Sequence, residues 1–222
     1  MKFRHELKHE ITTLELLTLR SRLNAVASPD RHAENGSYVV DSLYFDTAAD
    51  KALREKLDGV NVREKFRIRF YNGDSSFIRL EKKSKINGLC AKQCAPMSAA
   101  RVQALLDGDT AWMAHSTEPL IRQLHAKMRS GLMPKAIVSY TREPFVFPAG
   151  NVRVTLDCDI RSSLDCRSFL EPERISLPAG GDSIILEVKW DEFLPDVIRD
   201  AVQLPGCRSN AYSKYAVSRI YG

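Results

Sequence analysis

The sequence predicts an α+β fold: an antiparallel β-sheet closed into a barrel, with helices packed around its outside. Three observations predict it. Period-two alternation of charged and apolar residues recurs along the chain. Amphipathic stretches of helical period lie between those segments and need an apolar surface to cover. The alternate face of the strands carries dense charge of both signs, more than a solvent-facing sheet requires.

The elements follow in order. Arg4, Glu6, Lys8 and Glu10 alternate with Phe3, His5, Leu7, His9 and Ile11. His5 and His9 fall on the apolar face and read as core packing, not as ligands. Thr12 with Glu15 makes a capping box ahead of a helix over residues 14–26. Residues 38–45, rich in Val and Tyr, form a strand. In residues 65–70 the odd positions are basic and the even ones apolar; in 77–83 the odd face carries Arg79, Glu81 and Lys83. A short helix covers 98–106, and a second covers 119–129 and ends near Gly131. Residues 135–141 form another strand. In 151–161, Val152, Val154, Leu156, Cys158 and Ile160 oppose Arg153, Thr155, Asp157, Asp159 and Arg161; the two aspartates read as a plain polar face. In 184–191, Leu186, Val188 and Trp190 oppose Glu187, Lys189 and Asp191. Helices over 195–202 and 213–221 complete the set. There is no internal repeat or long linker. At about 150 residues per domain, residues 1–222 are expected to form one domain, as barrels of this length commonly do.

Composition excludes several classes. Apolar residues make up 44% and charged residues 27%, which is not a disordered composition. Lys and Arg total 33 against 28 for Asp and Glu, a formal charge of +5. That modest excess suits an anionic ligand, and aromatic residues do not alternate with the basic ones, so nucleic-acid binding is not expected. No run approaches the roughly 18 apolar residues of a spanning helix. The first residues are charged and lack the apolar stretch of a secretory leader, so the cytoplasm is the expected location. The five cysteines include no CxxC and read as free thiols in a reducing compartment. No P-loop and no GxGxxG is present, so a Walker-type nucleotide site is not expected.

If the helices cover the apolar outside of a closed sheet, the charged faces point inward. The result is a tunnel lined by Arg, Lys and Glu. Unpaired buried charge is strongly penalised, so the lumen stays wet. It suits a polyanion with a bound divalent metal.

The alternating segments resemble the VTC domain, the polyphosphate polymerase branch of the triphosphate tunnel metalloenzymes. The stretches that carry the resemblance are Arg4-His5-Glu6-Leu7-Lys8, Ser42-Leu43-Tyr44-Phe45-Asp46-Thr47, Lys65-Phe66-Arg67-Ile68-Arg69 and Leu80-Glu81-Lys82-Lys83. Tyr140-Thr141-Arg142, Arg153-Val154-Thr155-Leu156-Asp157, Ile185-Leu186-Glu187-Val188-Lys189 and Ser213-Lys214-Tyr215 continue it. The resemblance implies a closed eight-stranded antiparallel tunnel barrel with peripheral helices. It implies a transferase that binds ATP and moves its γ-phosphoryl group onto a growing polyphosphate chain, with manganese or magnesium as cofactor.

Residue by residue, the resemblance implies that Lys8, Arg67, Arg69, Lys83 and Lys214 grip phosphates at the reaction centre. Tyr44, Arg142, Arg153 and Ser213 then contact substrate, with Lys189 beside them on the face of Glu187. Glu187 matches the metal-binding carboxylate, and Glu81 is a second metal candidate. The residue types suit phosphate binding. Arg67 and Arg69, two apart, share a strand face, and their planar forks take phosphate oxygens in pairs. Ser213 and Lys214 open the last predicted helix, where free backbone N–H groups favour an anion.

The chain departs from the family at Ala211, where a lysine is expected two residues before the serine. It shows no counterpart of the SPX regulatory domain or membrane anchor, so vacuolar translocation is not expected; a membrane-protein partner stays open. The hydrolase branch of the superfamily carries ExExK at the N-terminus. Here Arg4 replaces the first glutamate, which favours the polymerase branch. A tripolyphosphate or triphosphate hydrolase, and a non-catalytic polyphosphate-binding module, remain the alternatives. Pyrophosphate and polyphosphate are the expected partners beside ATP.

Overall fold

The computed structural model describes residues 3–33, 35–204 and 212–220. Ala211 and Cys207 lie outside the described residues. The sheet is built from β1 (Phe3–Ile11), β2 (Ser28–Pro29), β3 (Tyr38–Thr47), β4 (Val62–Tyr71) and β5 (Asp74–Ile86). It continues with β6 (Leu89–Met97), β7 (Leu132–Phe147), β8 (Val152–Ser163), β9 (Leu177–Pro178) and β10 (Ile184–Trp190). The helices are α1 (Thr13–Val26), α2 (Lys51–Leu57), α3 (Ala99–Leu106), α4 (Ala111–Ala114), α5 (Pro119–Arg129), α6 (Asp196–Val202) and α7 (Lys214–Ile220).

Local chemistry starts the sheet. Asn72-Gly73 and Asn87-Gly88 all have positive φ, and each pair closes a two-residue hairpin, β4–β5 and β5–β6. The strand order is β2-β7-β3-β4-β5-β6-β1-β10-β8-β9, and β7 also pairs with β8. That last pairing closes eight antiparallel strands into a barrel, with β2 and β9 as short additions at its margin. The seam is thinnest between β6 and β1, where only Phe3 with Ala91 and Arg4 with Cys90 are in register. Beyond that overlap β6 tolerates Pro96, which cannot donate to a ladder.

The apolar faces point outward, under helices. Phe66, Ile68, Phe70, Ile78 and Leu80 pack beneath α3, α4 and α5. Val152, Val154, Leu156, Leu186 and Val188 pack beneath α1 and α6, where Leu19, Leu23 and Ile198 are fully buried. The expected capping box is present at Thr12 and Glu15. Inside the barrel a third group, among them Val40, Val138, Tyr140 and Tyr44, packs against Tyr215 of α7. Asp46, fully buried, fixes that helix. Its carboxylate accepts from the backbone N–H groups of Thr47, Ala52 and Leu53 and from the Tyr215 hydroxyl at 2.7 Å.

Some expectations need correction. β6 is a full strand although Cys, Gln and Pro give it no alternation to read; its place between β5 and β1 decides it. β4 and β7 run beyond the expected 65–70 and 135–141 because their partners β5, β3 and β8 extend alongside them. α2 and α4 were not legible in the pattern. The last helix begins at Lys214 rather than Ser213, and Tyr221 lies outside the described residues. His5 is exposed and stacks on Trp190 at 5.3 Å, so it is not core packing: its ring lies along the outside of the β1–β10 pair, beside its register partner. Cys90, Cys94, Cys158 and Cys166 are free thiols, as expected.

Asp46→Ala strands two helix-end donors and the Tyr215 hydroxyl in the interior. It is expected to cost about 3 kcal/mol, and Tyr215→Phe about 1 kcal/mol, in urea unfolding. Equal stability of Asp46→Ala and the parent chain removes Asp46 as the anchor of α7.

Candidate functional site: a charged tunnel

Residues directly opposite each other in an antiparallel pair share a face. Following the register around the barrel therefore assembles the lumen. Tyr44 opposes Arg67, and Arg67 opposes Glu81. Ser42 opposes Arg69, and Lys65 opposes Lys83. Across the seam, Lys8 opposes Glu187, Glu6 opposes Lys189, and Glu187 in turn opposes Thr155. Arg142 opposes Asp157. The charged faces seen in the sequence thus converge on one interior.

Two carboxylate centres organise it. Glu187 lies 2.8 Å from Lys189, 3.5 Å from Lys8 and 3.6 Å from Arg142. Beside it, Glu6 lies 3.2 Å from Lys8, 3.9 Å from Lys189 and 2.6 Å from Lys83. The Lys83 contact spans from β5 to β1 across β6, so it staples the thin seam. Burial alone would push the Glu187 carboxyl up; Lys189, Lys8 and Arg142 outweigh it and hold it well below the usual range. Burial likewise works against the Lys8 ammonium, but Glu187 and Glu6 hold it firmly charged.

Deeper on the β7–β8 side, Asp157 is fully buried. It takes Arg142 through two parallel bonds of 2.6 and 2.7 Å and also the Lys214 ammonium. Against burial, Arg142 and Lys214 bring its carboxyl down to about 2. Lys214 also lies 4.6 Å over the ring of Tyr140, so α7 enters the lumen with its first residue. Arg153 sits toward the margin, half-buried between Asp30 at 2.8 Å and the Tyr38 hydroxyl at 2.8 Å.

On the opposite wall, Glu81 takes Arg67 at 2.7 Å and Lys92 at 3.0 Å, and these cations with Arg69 overcome burial to hold it far below the usual range. Arg67 also donates to the Tyr44 hydroxyl at 3.1 Å. Burial would raise the Tyr44 phenol, but Arg67, Arg69 and Lys214 outweigh it and bring it down to about 7.

Arg69 and Lys65, deep on the lumen face, have no carboxylate within contact distance among the described residues. Arg69 is 4% exposed and donates only to the neutral hydroxyls of Ser42 and Tyr140, both at 3.0 Å. Lys65 reaches Ser213 at 3.5 Å and the face of Tyr215 at 5.4 Å. Burial, with Arg63, Lys56 and Lys8 nearby, brings its ammonium down to about 8. A buried cation with no counter-ion is costly unless an anion arrives.

Of the residues singled out in the sequence, Lys8, Lys83, Lys189 and Glu187 gather at the seam. Arg142 and Lys214 meet at Asp157, Arg67 joins Tyr44 to Glu81, and Arg69 stands between the last two groups. Arg153 is marginal, and Ser213 contributes through Lys65. Glu81 and Glu187 serve separate cation sets and are not joined by a shared partner. Reading the sequence missed Glu6, Asp157, Lys65 and Thr155. Their signal was present, since each lies on a charged strand face, but only the register brings them to the others. Thr155 is the least legible: its hydroxyl is buried opposite Glu187 and has no hydrogen-bond partner. Among the described residues no cluster of three or more His, Cys, Asp or Glu has metal-binding geometry. No helix among them is long and apolar enough to cross a membrane.

The family model described as the VTC domain matches residues 3–220. No curated protein matches the chain significantly. Among solved structures, a candidate adenylate cyclase from Bacillus halodurans is 16% identical with a TM-score of 0.51, covering 85% of this chain and 80% of that one. The PH1012 protein of Pyrococcus horikoshii is 11% identical with a TM-score of 0.52, covering 96% and 98%. At these identities the likeness shows the fold alone.

Asp157 provides a pH test of the network. Its depressed carboxyl contributes stability above the unfolded value near 4 and loses it as pH falls toward 2. Asp157→Asn, which takes the bidentate carboxylate from Arg142 and the contacting carboxylate from Lys214, is expected to lose about 3 kcal/mol at pH 7. The gap to the parent chain should close between pH 4 and pH 2 in urea unfolding. A gap that is constant with pH separates Asp157 from the ion pairs.

Proposed function

Because the chain belongs to the VTC domain family, we propose that it is a metal-dependent polyphosphate polymerase that transfers the γ-phosphoryl group of ATP to a polyphosphate or pyrophosphate acceptor inside the tunnel. The observation that carries this reading is the pair of lumen cations, Arg69 and Lys65, that have no carboxylate partner among the described residues. A chain of phosphates supplies the missing counter-charge at regular intervals. Arg4 adds support: its guanidinium goes to Asp191 at 2.8 Å and to the Asn151 carbonyl, so the hydrolase branch's first glutamate has no substitute there.

The residues fit a hard divalent ion. Glu187 and Glu6 share Lys8 and Lys189 as partners, so their oxygens lie close together, and the orphaned Thr155 hydroxyl faces the same place. One or two protein carboxylates completed by phosphate oxygens and water are usual for such an ion. Glu187, with Glu6, would hold it; Glu81 is better assigned to positioning Arg67. When bound, the ion neutralises charge on the phosphate oxygens. Manganese or magnesium would serve.

Phosphoryl transfer leaves the protein mainly positioning and charge stabilisation. Arg69, Arg67 and Lys65 grip one stretch of phosphates, and Lys8, Lys83, Lys189, Arg142 and Lys214 the other. The terminal oxygen of the acceptor attacks the γ-phosphorus, the bond to the β–γ bridging oxygen breaks, and ADP leaves. The acceptor oxygen is already ionised, so no base is required. Water, by contrast, must lose a proton. Tyr44, brought down to about 7, is suited to accept it, and this observation favours triphosphate hydrolysis as the second reading.

Incubation with ATP, Mn²⁺ and a pyrophosphate primer distinguishes the readings. Polymer with ADP supports the polymerase, orthophosphate without polymer supports the hydrolase, and binding without turnover supports a binding module. Arg69→Ala and Glu187→Ala are each expected to lower polymer formation by a factor of 100 or more, on the order of 3 kcal/mol, with the thermal midpoint of Arg69→Ala unchanged or raised. Full activity in a folded Arg69→Ala chain removes the carrying observation.

A phosphate chain also raises the Lys65 ammonium from about 8. Tripolyphosphate binding at pH 8 should therefore take up more protons in the parent chain than in Lys65→Met, and the difference should vanish at pH 6. Calorimetry in buffers of different ionisation enthalpy reads this. Equal proton uptake by both chains places Lys65 outside the phosphate path.

A further inference from the structure

One end of the barrel holds large apolar side chains in the open. Val62 stands directly opposite Ile86, and Ile86 opposite Leu89, so the three form one row across β4, β5 and β6. They are 65%, 40% and 39% exposed. Leu57, the last residue of α2, and Val60 in the connection to β4 are also exposed. The two segments concerned, 57–62 and 86–89, are exposed throughout and lie side by side, tied by the Asn87 N–H donating to the Asn61 carbonyl at 3.2 Å. They form a protruding edge, not a groove.

The same edge is cationic. Arg63 stands opposite Lys85, and Lys56 of α2 is electrostatically coupled to both. None of the three has a carboxylate partner among the described residues. The nearby carboxylates are engaged elsewhere, Glu55 with Lys51 and Glu64 with Lys82 and Lys127, which leaves Asp58 as the local exception. Apolar tips flanked by unpaired cations are the composition of a surface that meets an anionic interface. A second copy of the same edge would bring like charges together, which disfavours self-association.

We infer that this end of the barrel docks on an anionic lipid surface, with Val62, Ile86 and Leu89 entering the boundary between headgroups and acyl chains and Lys56, Arg63 and Lys85 meeting headgroup phosphates. The apolar tips lie on the outer face of the strands, while Arg63 and Lys85 lie on the lumen face at the tunnel mouth, with Arg63 and Lys56 near Lys65; the inference does not depend on the polymerase reading. Docking there would hold one mouth of the tunnel at the membrane surface.

Co-sedimentation with vesicles tests it. The purified chain is expected to bind vesicles of phosphatidylcholine mixed with phosphatidylglycerol, and not pure phosphatidylcholine, with binding weakened by salt. Ile86→Ser with Leu89→Ser, and separately Lys56→Ala with Lys85→Ala, should each weaken binding, the second by roughly fivefold per cation. Thermal midpoints near that of the parent chain verify folding, since Ile86 and Leu89 are exposed and Lys56 and Lys85 are half-buried with no carboxylate partner among the described residues. Arg69→Ala should bind vesicles like the parent. The inference is overturned if the chain ignores mixed vesicles at low salt, or if both edge variants bind as well as the parent. It is equally overturned if Arg69→Ala abolishes binding, which would put the headgroups in the tunnel, or if the apolar variant instead dissolves a concentration-dependent dimer.

Discussion

Charge compensation inside a closed barrel is the constraint on which this structure depends. A guanidinium or ammonium withdrawn from water needs a counter-ion or an escape to solvent. Here Glu187 with Glu6, Asp157, and Glu81 each gather two or more cations, and every one of these carboxylates is held ionised by those neighbours. The compensation is thinnest at Arg69 and Lys65, which among the described residues hydrogen-bond only to hydroxyls and feel Glu81 and Tyr44 without a direct carboxylate contact. The protein therefore carries a standing electrostatic demand in its interior, and an anionic ligand satisfies it. Binding and stability are linked through the same residues.

The outer faces allow this. Because the sheet presents its apolar residues outward, two separate cores form, one under α3, α4 and α5 and one under α1 and α6. Each buried leucine or isoleucine there contributes roughly 2 kcal/mol. That burial offsets the cost of a wet, charged centre. Function and stability thus occupy opposite sides of the same strands, alternating residue by residue, and a one-residue slip of register would exchange them.

α7 joins the two sides. Tyr215 stacks on Tyr44 at 5.2 Å and bonds Asp46, while the preceding Lys214 enters the lumen to reach Asp157. Neighbouring residues of one short helix thus serve as anchor and as tunnel wall. The β6–β1 seam is the complementary weak place, held by two residue pairs in register and by the Lys83–Glu6 pair. The lumen's ion pairs accordingly have a structural as well as a chemical role.

Much of this was legible in the sequence. Strict alternation in 65–70, 151–161 and 184–191 identified strands with one charged face, and Thr12 with Glu15 marked the start of α1, because those signals depend on neighbours along the chain. β6 was not legible, since Cys90, Gln93, Cys94 and Pro96 carry no alternation and the strand exists because β5 supplies its ladder. Glu6 was given no role of its own and Asp157 read as a polar face for a related reason: their partners Lys83 and Lys214 lie 77 and 57 residues away. By itself the sequence determined the alternating strands, their two faces and the family, because periodicity and local motifs are properties of neighbouring residues. Only the tertiary structure decided which carboxylate holds which cation and which cations are left without one, because cross-strand register and barrel closure bring together charges that the chain keeps far apart.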